Sequence, residues 1–138
     1  MELQIKKTTW RITMNNKNIK PSISINLRKP VIRISKDTLT SIGNPEYVLF
    51  LVNPKDCSLG ILPSDKNDVK AHHLSRYSNR KSLELHSKAL IEDLRKLCPS
   101  WKSTGTYKMD GYYTDNPNII KFNMAEAVEL RGTNEKTI

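Results

Sequence analysis

The chain has 138 residues, a net charge of +9, 37% hydrophobic residues and two cysteines. This length fits one compact domain or two small halves packed together. Since no stretch approaches the ~20 apolar residues of a membrane span, and the N-terminus lacks the apolar region of a secretory signal, we expect a cytoplasmic protein with no membrane partner.

The positive charge is concentrated in the first quarter of the chain. Residues 1–36 carry nine basic side chains and one acid, whereas the other 102 residues carry 14 and 13. Cations placed against duplex DNA gain free energy by releasing condensed counterions. Such a segment can also be a solvated face, or a surface for an acidic protein. The candidate DNA-binding residues are Lys6, Lys7, Arg11, Lys17, Lys20, Arg28, Lys29, Arg33 and Lys36.

Residues 1–29 are predicted to form a basic N-terminal hairpin. Apolar residues at every second position indicate half-buried strands over residues 10–14 and 23–27. The asparagine-rich segment between them is typical of a turn, because asparagine tolerates left-handed backbone.

Residues 30–63 are predicted to form a strand, a short helix and a hairpin. The strand covers residues 31–34, and Ser35 is a suitable N-cap for a helix over residues 36–42. Gly43 is expected to end that helix. The two hairpin strands are predicted over residues 47–52 and 58–62.

The same order of elements recurs after a polar linker at residues 64–81. The unit at residues 82–130 is predicted to contain a strand over 82–85, a helix over 89–98 with Ser87 as its N-cap, and a hairpin of strands 107–113 and 119–124. Residues 131–138 are expected to be a frayed tail. An offset of 51 residues aligns Ile32 with Leu83, Ile34 with Leu85 and Leu39 with Leu90. The repeated order is compatible with an internal duplication, but the apolar matches alone are weak evidence for one, because any strand followed by a helix shares them.

The stretch from residue 31 to residue 62 resembles the AbrB-like transcription regulators of bacteria. The resemblance is carried by the strand that leads into Ile34-Ser35-Lys36-Asp37, the Ile42-Gly43 closing the short helix, and the hairpin that follows. In that family two such units interleave as a swapped-hairpin barrel. Most members are homodimers, and the MraZ branch has both copies in one chain. The resemblance implies DNA binding and a homodimer, with a duplicated monomer as the alternative.

Two positions depart from the family pattern. Ser35 stands where the family often has proline, and the helix segment Thr38-Leu39-Thr40-Ser41 lacks the arginines that often reach DNA. The nearest substitutes flank the same strand and are Arg28, Lys29, Arg33 and Lys36. Four later cations are not assigned to the interface: Arg76, Arg80, Lys102 and Lys108.

Catalytic motifs are absent from the sequence, which has no nucleophile elbow, phosphate-binding glycine loop or HExxH motif. We therefore expect neither an enzyme nor a cofactor. Cys57 and Cys98 form no CxxC motif, and with His72 and His73 they match no zinc-finger spacing. We expect free thiols, as in a reducing compartment, and no bound metal.

The sequence thus predicts an α+β, strand-rich small domain with two βαββ-like units, arranged like a swapped-hairpin barrel and preceded by an N-terminal hairpin. The predicted function is a small transcription regulator that binds duplex DNA. Single-stranded targets are disfavoured because the only aromatic residue in the basic segment, Trp10, lies on its apolar face. The alternative is a protein-interaction module, such as a phage or mobile-element inhibitor, that docks on an acidic protein or a nucleoprotein.

Overall fold

A computed structural model describes residues 4–5, 20–74, 82–116 and 118–130. This part of the chain is small and strand-rich, with a nearly closed, barrel-like sheet. Its strands are β1 (Gln4–Ile5), β2 (Ser22–Asn26), β3 (Val31–Ser35), β4 (Tyr47–Asn53), β5 (Ser58–Ser64), β6 (His72–His73), β7 (Ser82–Leu85), β8 (Thr106–Tyr113), β9 (Ile120–Asn123) and β10 (Val128–Leu130). Its helices are α1 (Lys36–Ser41), α2 (Lys88–Leu97) and a 3-10 helix (Met124–Glu126).

The strands form one sheet in the order β1-β4-β5-β9-β8-β2-β3-β7. Strand β6 also pairs with β4, and β10 also pairs with β8. The pairing of β1 with β4 is parallel, and the other pairings are antiparallel. Three of the antiparallel contacts, β2–β8, β3–β7 and β5–β9, join a strand from the first half of the chain to one from the second.

The core lies between the inner face of this sheet and α2. Alternate residues of β2 and β3 point inward, and Ile25, Ile32 and Ile34 are fully buried, as period-two patterning requires. Leu90 and Leu94 of α2 are also fully buried and lie on one stripe of the helix. The strands and α2 therefore share one large apolar core, and Leu51 and Ile119 form a second, smaller buried cluster.

Helix α1 is fixed to the edge of the core by a small hydroxyl network. The Ser35 hydroxyl caps the helix by accepting a hydrogen bond from the Thr38 N–H at 3.1 Å. Thr38 is fully buried, and its hydroxyl donates to the Ser22 carbonyl at 2.8 Å while accepting from the Ser22 N–H at 2.9 Å. The first turn of α1 is thus bonded to the start of β2.

Gly111 allows strand β8 to lie close to its neighbours on both sides. A Cβ atom at this position would lie 2.7 Å from Ile120, 2.8 Å from Phe122 and 2.9 Å from Pro21. These separations are shorter than van der Waals contact, so a side chain here would push β8 away from β9 and from the start of β2. The junction of the two halves therefore requires glycine at this site.

Most elements predicted between residues 31 and 124 are confirmed. The strands at 31–34, 47–52, 58–62, 82–85 and 107–113, the two N-caps and both α-helices are present within one or two residues of the predicted bounds. Residue 124, predicted to end the last strand, instead begins the 3-10 helix. The strand predicted over residues 10–14 and the tail at 131–138 lie outside the described residues.

The second strand of the predicted N-terminal hairpin is present as β2, and the residues of the first predicted strand lie outside the described part of the chain. Strand β2 pairs with β3 along one edge and with β8 along the other, so both edges are filled. A strand has only two edges for ladder hydrogen bonds, so β3 and β8 together satisfy both edges of β2. The alternation of apolar residues locates β2 correctly, but one of its two partners, β8, is distant in sequence.

The described part of the predicted polar linker, residues 64–74, is irregular over residues 65–71 and contains one short strand. Within it, His72 and His73 form β6, which pairs with Val48 and Tyr47 of β4. Leu74 is buried, and its N–H donates to the Glu46 carbonyl at 2.8 Å. Ladder hydrogen bonds to β4 hold His72 and His73 in the sheet. Their side chains show no apolar alternation, so the sequence gives no sign of this strand.

Truncating the leucine anchor of either helix should destabilise the protein. Leu90→Ala and Leu39→Ala remove side chains that are 0% and 6% exposed, and each should cost about 2–5 kcal/mol of unfolding free energy in urea denaturation. Val128→Ala is the control, because Val128 is 62% exposed and its truncation should change stability by less than about 0.5 kcal/mol. An unchanged stability for Leu39→Ala would show that α1 does not pack on the core.

Stability should fall as the pH decreases below about 6.5, in part because of His72. Burial lowers the pKa of His72 from its ordinary value of 6.5, and its Nε2 has no hydrogen-bond partner among the described residues. The unfolded chain then binds a proton that the folded chain does not, so acid favours unfolding from 6.5 down to the lowered pKa. His72→Phe, which keeps the edge contact with Phe50, should flatten this part of the stability profile measured by urea denaturation. An identical profile for the variant would contradict the assignment.

Candidate nucleic-acid interface

The described candidate cations lie along one hairpin, formed by β2, β3 and their connecting turn. Lys20 precedes β2, Arg28 and Lys29 lie in the turn, Arg33 is in the middle of β3, and Lys36 begins α1. All five side chains are exposed. Five strand residues span about 17 Å, so the cations form two groups at the ends of the hairpin, with Arg33 between them. We call this set the hairpin cations.

The turn that carries Arg28 and Lys29 is held rigidly. The Asn26 side-chain oxygen accepts hydrogen bonds from the Arg28 N–H at 2.9 Å and from the Lys29 N–H at 3.0 Å. An asparagine that bonds its own following backbone in this way fixes a turn locally. From α2, Arg95 donates to the Leu27 carbonyl at 2.6 Å. The two turn cations therefore project from a fixed backbone.

At the other end of the hairpin, Lys20 and Lys36 flank an acidic residue. The Lys20 N–H donates to an Asp37 carboxylate oxygen at 3.2 Å. Asp37 lies in the first turn of α1, where a negative charge favours the helix dipole. This carboxylate reduces the positive potential at that end. The turn group, Arg28 and Lys29, is therefore the more strongly basic of the two.

Arg33 belongs to a row of outward-facing side chains that crosses four strands. Ser24 pairs with Lys108 of β8 on one side and with Arg33 on the other, and Arg33 pairs with Glu84 of β7. Residues directly opposite in an antiparallel pair share a face. The Arg33 Nε donates to a Glu84 carboxylate oxygen at 2.9 Å, so Arg33 is ion-paired with its neighbour on β7.

Lys108 lies on the same face, although it is not among the residues predicted for the interface. Its position on β8 is two strands from Arg33, a separation of about 10 Å at the usual strand spacing. The sequence offers one indication of this position, because Lys108 alternates with the apolar residues Tyr107 and Met109, which are buried. That signal predicts an outward side chain, but it does not indicate which strand lies next to β8.

The charge of the described part is small. It carries 14 basic and 12 acidic side chains, a balance of +2, whereas the whole chain has a net charge of +9. Lys6, Lys7, Arg11 and Lys17, the first four candidate residues, lie outside the described residues. The hairpin cations are thus the five candidate residues whose positions the structure describes.

Two aromatic side chains, Trp101 and Tyr107, belong to the packing of the molecule. Trp101 and Tyr107 stack with ring centroids 4.5 Å apart, and the Tyr107 hydroxyl accepts a hydrogen bond from the Lys102 N–H at 2.7 Å. Tyr107 is 6% exposed, so its ring faces are unavailable to a nucleotide base. Recognition of single strands by stacking on Tyr107 is thereby excluded.

Comparisons with known proteins identify no family for this chain, since no family model, no curated protein and no solved structure matches it. Among the helices in the described ranges, α2 is the longest at 10 residues, and none is long and apolar enough to cross a membrane.

Proposed function

We propose that this chain binds duplex DNA through the hairpin cations and acts as a small transcription regulator. The observation that carries the proposal is the placement of Lys20, Arg28, Lys29 and Lys36 on one hairpin, all exposed and none ion-paired within the part of the chain that is described. Such cations keep their full charge for phosphate groups, and release of condensed counterions supplies the affinity.

The spacing of the two groups suits a duplex. The length of β3, about 17 Å, exceeds the ~12 Å width of the major groove. Arg28 and Lys29 can therefore contact phosphates on one side of the groove while Lys36 contacts the other side. Arg33 and Lys108 lie between these groups, where side chains reach base edges. Phosphate contacts would fix the orientation, and these central residues would supply any sequence preference.

The register of the sheet supports a swapped-hairpin arrangement of two βαββ units. In the first hairpin Phe50 pairs with Ile61, and in the second Gly111 pairs with Phe122, so equivalent positions are 61 residues apart. Between the hairpins, Gly60 pairs directly with Lys121, which is its own equivalent at that offset. A residue can pair with its equivalent only at a two-fold axis.

The pairing of β3 with β7 supports the same axis. Arg33 pairs with Glu84, which is 51 residues further on and is its equivalent in the alignment of the two strands. The two offsets differ because α2 has 10 residues and α1 has six, with a longer connection after α2. An arrangement in which one chain supplies both halves of a two-fold barrel favours a monomer over the homodimer implied by most of the resembling family.

Removing three hairpin cations should abolish most DNA binding. We expect the triple variant Arg28→Gln, Lys29→Gln, Lys36→Gln to weaken binding to a generic duplex at ~50 mM salt by at least about tenfold in a gel-shift titration. The slope of log affinity against log salt should also fall by about 0.9 for each phosphate that the variant no longer neutralises.

The matched control changes three exposed lysines on other loops: Lys55→Gln, Lys66→Gln and Lys70→Gln. It removes the same charge, and Lys55 follows an asparagine that fixes its turn, as Arg28 does. This control should bind nearly as the parent does. Equal losses in both variants would refute a localised interface. If the parent shows no shift at this salt, DNA binding is rejected and the protein-interaction alternative takes its place.

Neutralising the acid beside Arg33 should strengthen binding. Glu84→Gln releases the Arg33 guanidinium from its ion pair, and we expect about a 1.4- to fivefold gain in DNA affinity, equivalent to the roughly 0.2–1 kcal/mol of an exposed ion pair. Glu46→Gln makes the same charge change at an exposed site before β4 and should give a smaller gain. Fluorescence anisotropy with a labelled duplex measures both. A loss of affinity in Glu84→Gln would show that Arg33 does not face the DNA.

A further inference from the structure

Three sulfur atoms meet at a cavity on the side of the molecule where α2 ends. The cavity has a volume of about 490 Å³ and lies between the β4–β5 turn, the end of α2 and the 3-10 helix. Its lining includes the thiols of Cys57 and Cys98 and the thioether of Met124. Both cysteines are free. They come from positions far apart in the sequence, and the fold brings them together.

The contacts among these residues are direct. The Cys98 sulfur lies 3.7 Å from the Met124 sulfur, and the Cys57 sulfur lies 3.9 Å from the Leu97 carbonyl oxygen, next to Cys98 in the chain. The Met124 N–H donates to the Cys57 carbonyl at 2.9 Å, which holds the turn against the 3-10 helix. Burial, together with the adjacent Cys57 thiol, raises the pKa of Cys98 to about 12, so this sulfur is a neutral thiol in the free protein.

Cys57 also occupies an unusual backbone position. Its φ of +57° lies in the left-handed region, where glycine and asparagine are favoured and a cysteine costs free energy. A strained residue that persists at a turn suggests a role for its side chain. The strain at Cys57 is an observation independent of the sulfur contacts, and it concerns the same residue.

We propose that Cys57, Cys98 and Met124 form a binding site for monovalent copper. Thiolate and thioether sulfurs are the ligands that Cu(I) prefers, and this ion is satisfied by two or three of them. Binding displaces the two thiol protons to solvent and changes no oxidation state, so the product is a copper bis-thiolate with the thioether as a neutral third ligand. The proposal is independent of DNA binding.

The donor set selects Cu(I) over zinc. Structural zinc sites take four ligands from Cys, His, Asp or Glu, arranged as a tetrahedron. No group of three or more such residues placed to hold a metal occurs among the described residues. Two thiols and a thioether, of which only the Cys57 thiol is partly exposed, leave Zn²⁺ short of ligands while supplying those that a soft monovalent ion requires.

The test is a competition titration of the full chain with Cu(I) under anaerobic, reducing conditions, using bicinchoninate as the chromophoric competitor. The parent should withdraw one equivalent of Cu(I) from the chelator. Cys98→Ser should weaken Cu(I) binding by more than about 100-fold, because loss of even outer partners of a metal site costs about 10- to 100-fold. Met124→Leu should have a smaller effect, and Met109→Leu, a buried methionine outside the cavity lining, should have none.

A further variant keeps the test interpretable if Cys98→Ser does not fold. Cys57→Gly removes a proposed ligand at a position whose backbone suits glycine, so it should fold as well as the parent and still lose Cu(I) binding. Circular dichroism checks the fold of each variant. The proposal is overturned if the parent does not compete for Cu(I), if Cys57→Gly binds it as tightly, or if the parent prefers Zn²⁺ in the same assay.

Discussion

The structure depends on antiparallel pairing between strands from the two halves of the chain. Without the contacts β2–β8, β3–β7 and β5–β9 the sheet would be a set of separate hairpins, each too small to bury its apolar face. These contacts place β2 and β3 inside the sheet rather than at an edge. The hairpin cations consequently stand on a rigid surface, and the bonds from Thr38 and Arg95 fix its two ends.

The sequence predicted those parts of the fold that local chemistry determines. A serine before a helix, a glycine after it and an alternation of apolar residues act within a few positions, so α1, β3, β4 and β5 could be located correctly. Pairing partners follow no such local rule. Strand β6 was missed because two histidines in a polar segment show no periodicity, and their place is set by β4 alone.

At the candidate interface, too, features set by local chemistry could be predicted and features set by strand pairing could not. Exposure of Arg28, Lys29 and Lys36 could be anticipated from turn and helix-start positions. The ion pair between Arg33 and Glu84, and the position of Lys108 on the same face, depend on which strands are neighbours. The sulfur cluster is the extreme case, because a turn and a helix end from different halves meet only once the sheet is complete. Chemistry that bridges the two halves therefore cannot be inferred from local sequence patterns.

The dependence of the first half on the second has a consequence for synthesis. Ile23 of β2 pairs with Met109 of β8, so the ribosome must add most of the chain before β2 gains its second neighbour. Until then the apolar, strand-forming segments of the first half remain exposed and open to pairing with other chains. Folding that waits for such distant contacts is slow. A nascent chain of this topology would therefore benefit from a chaperone that shields its early strands until residue 113 has emerged.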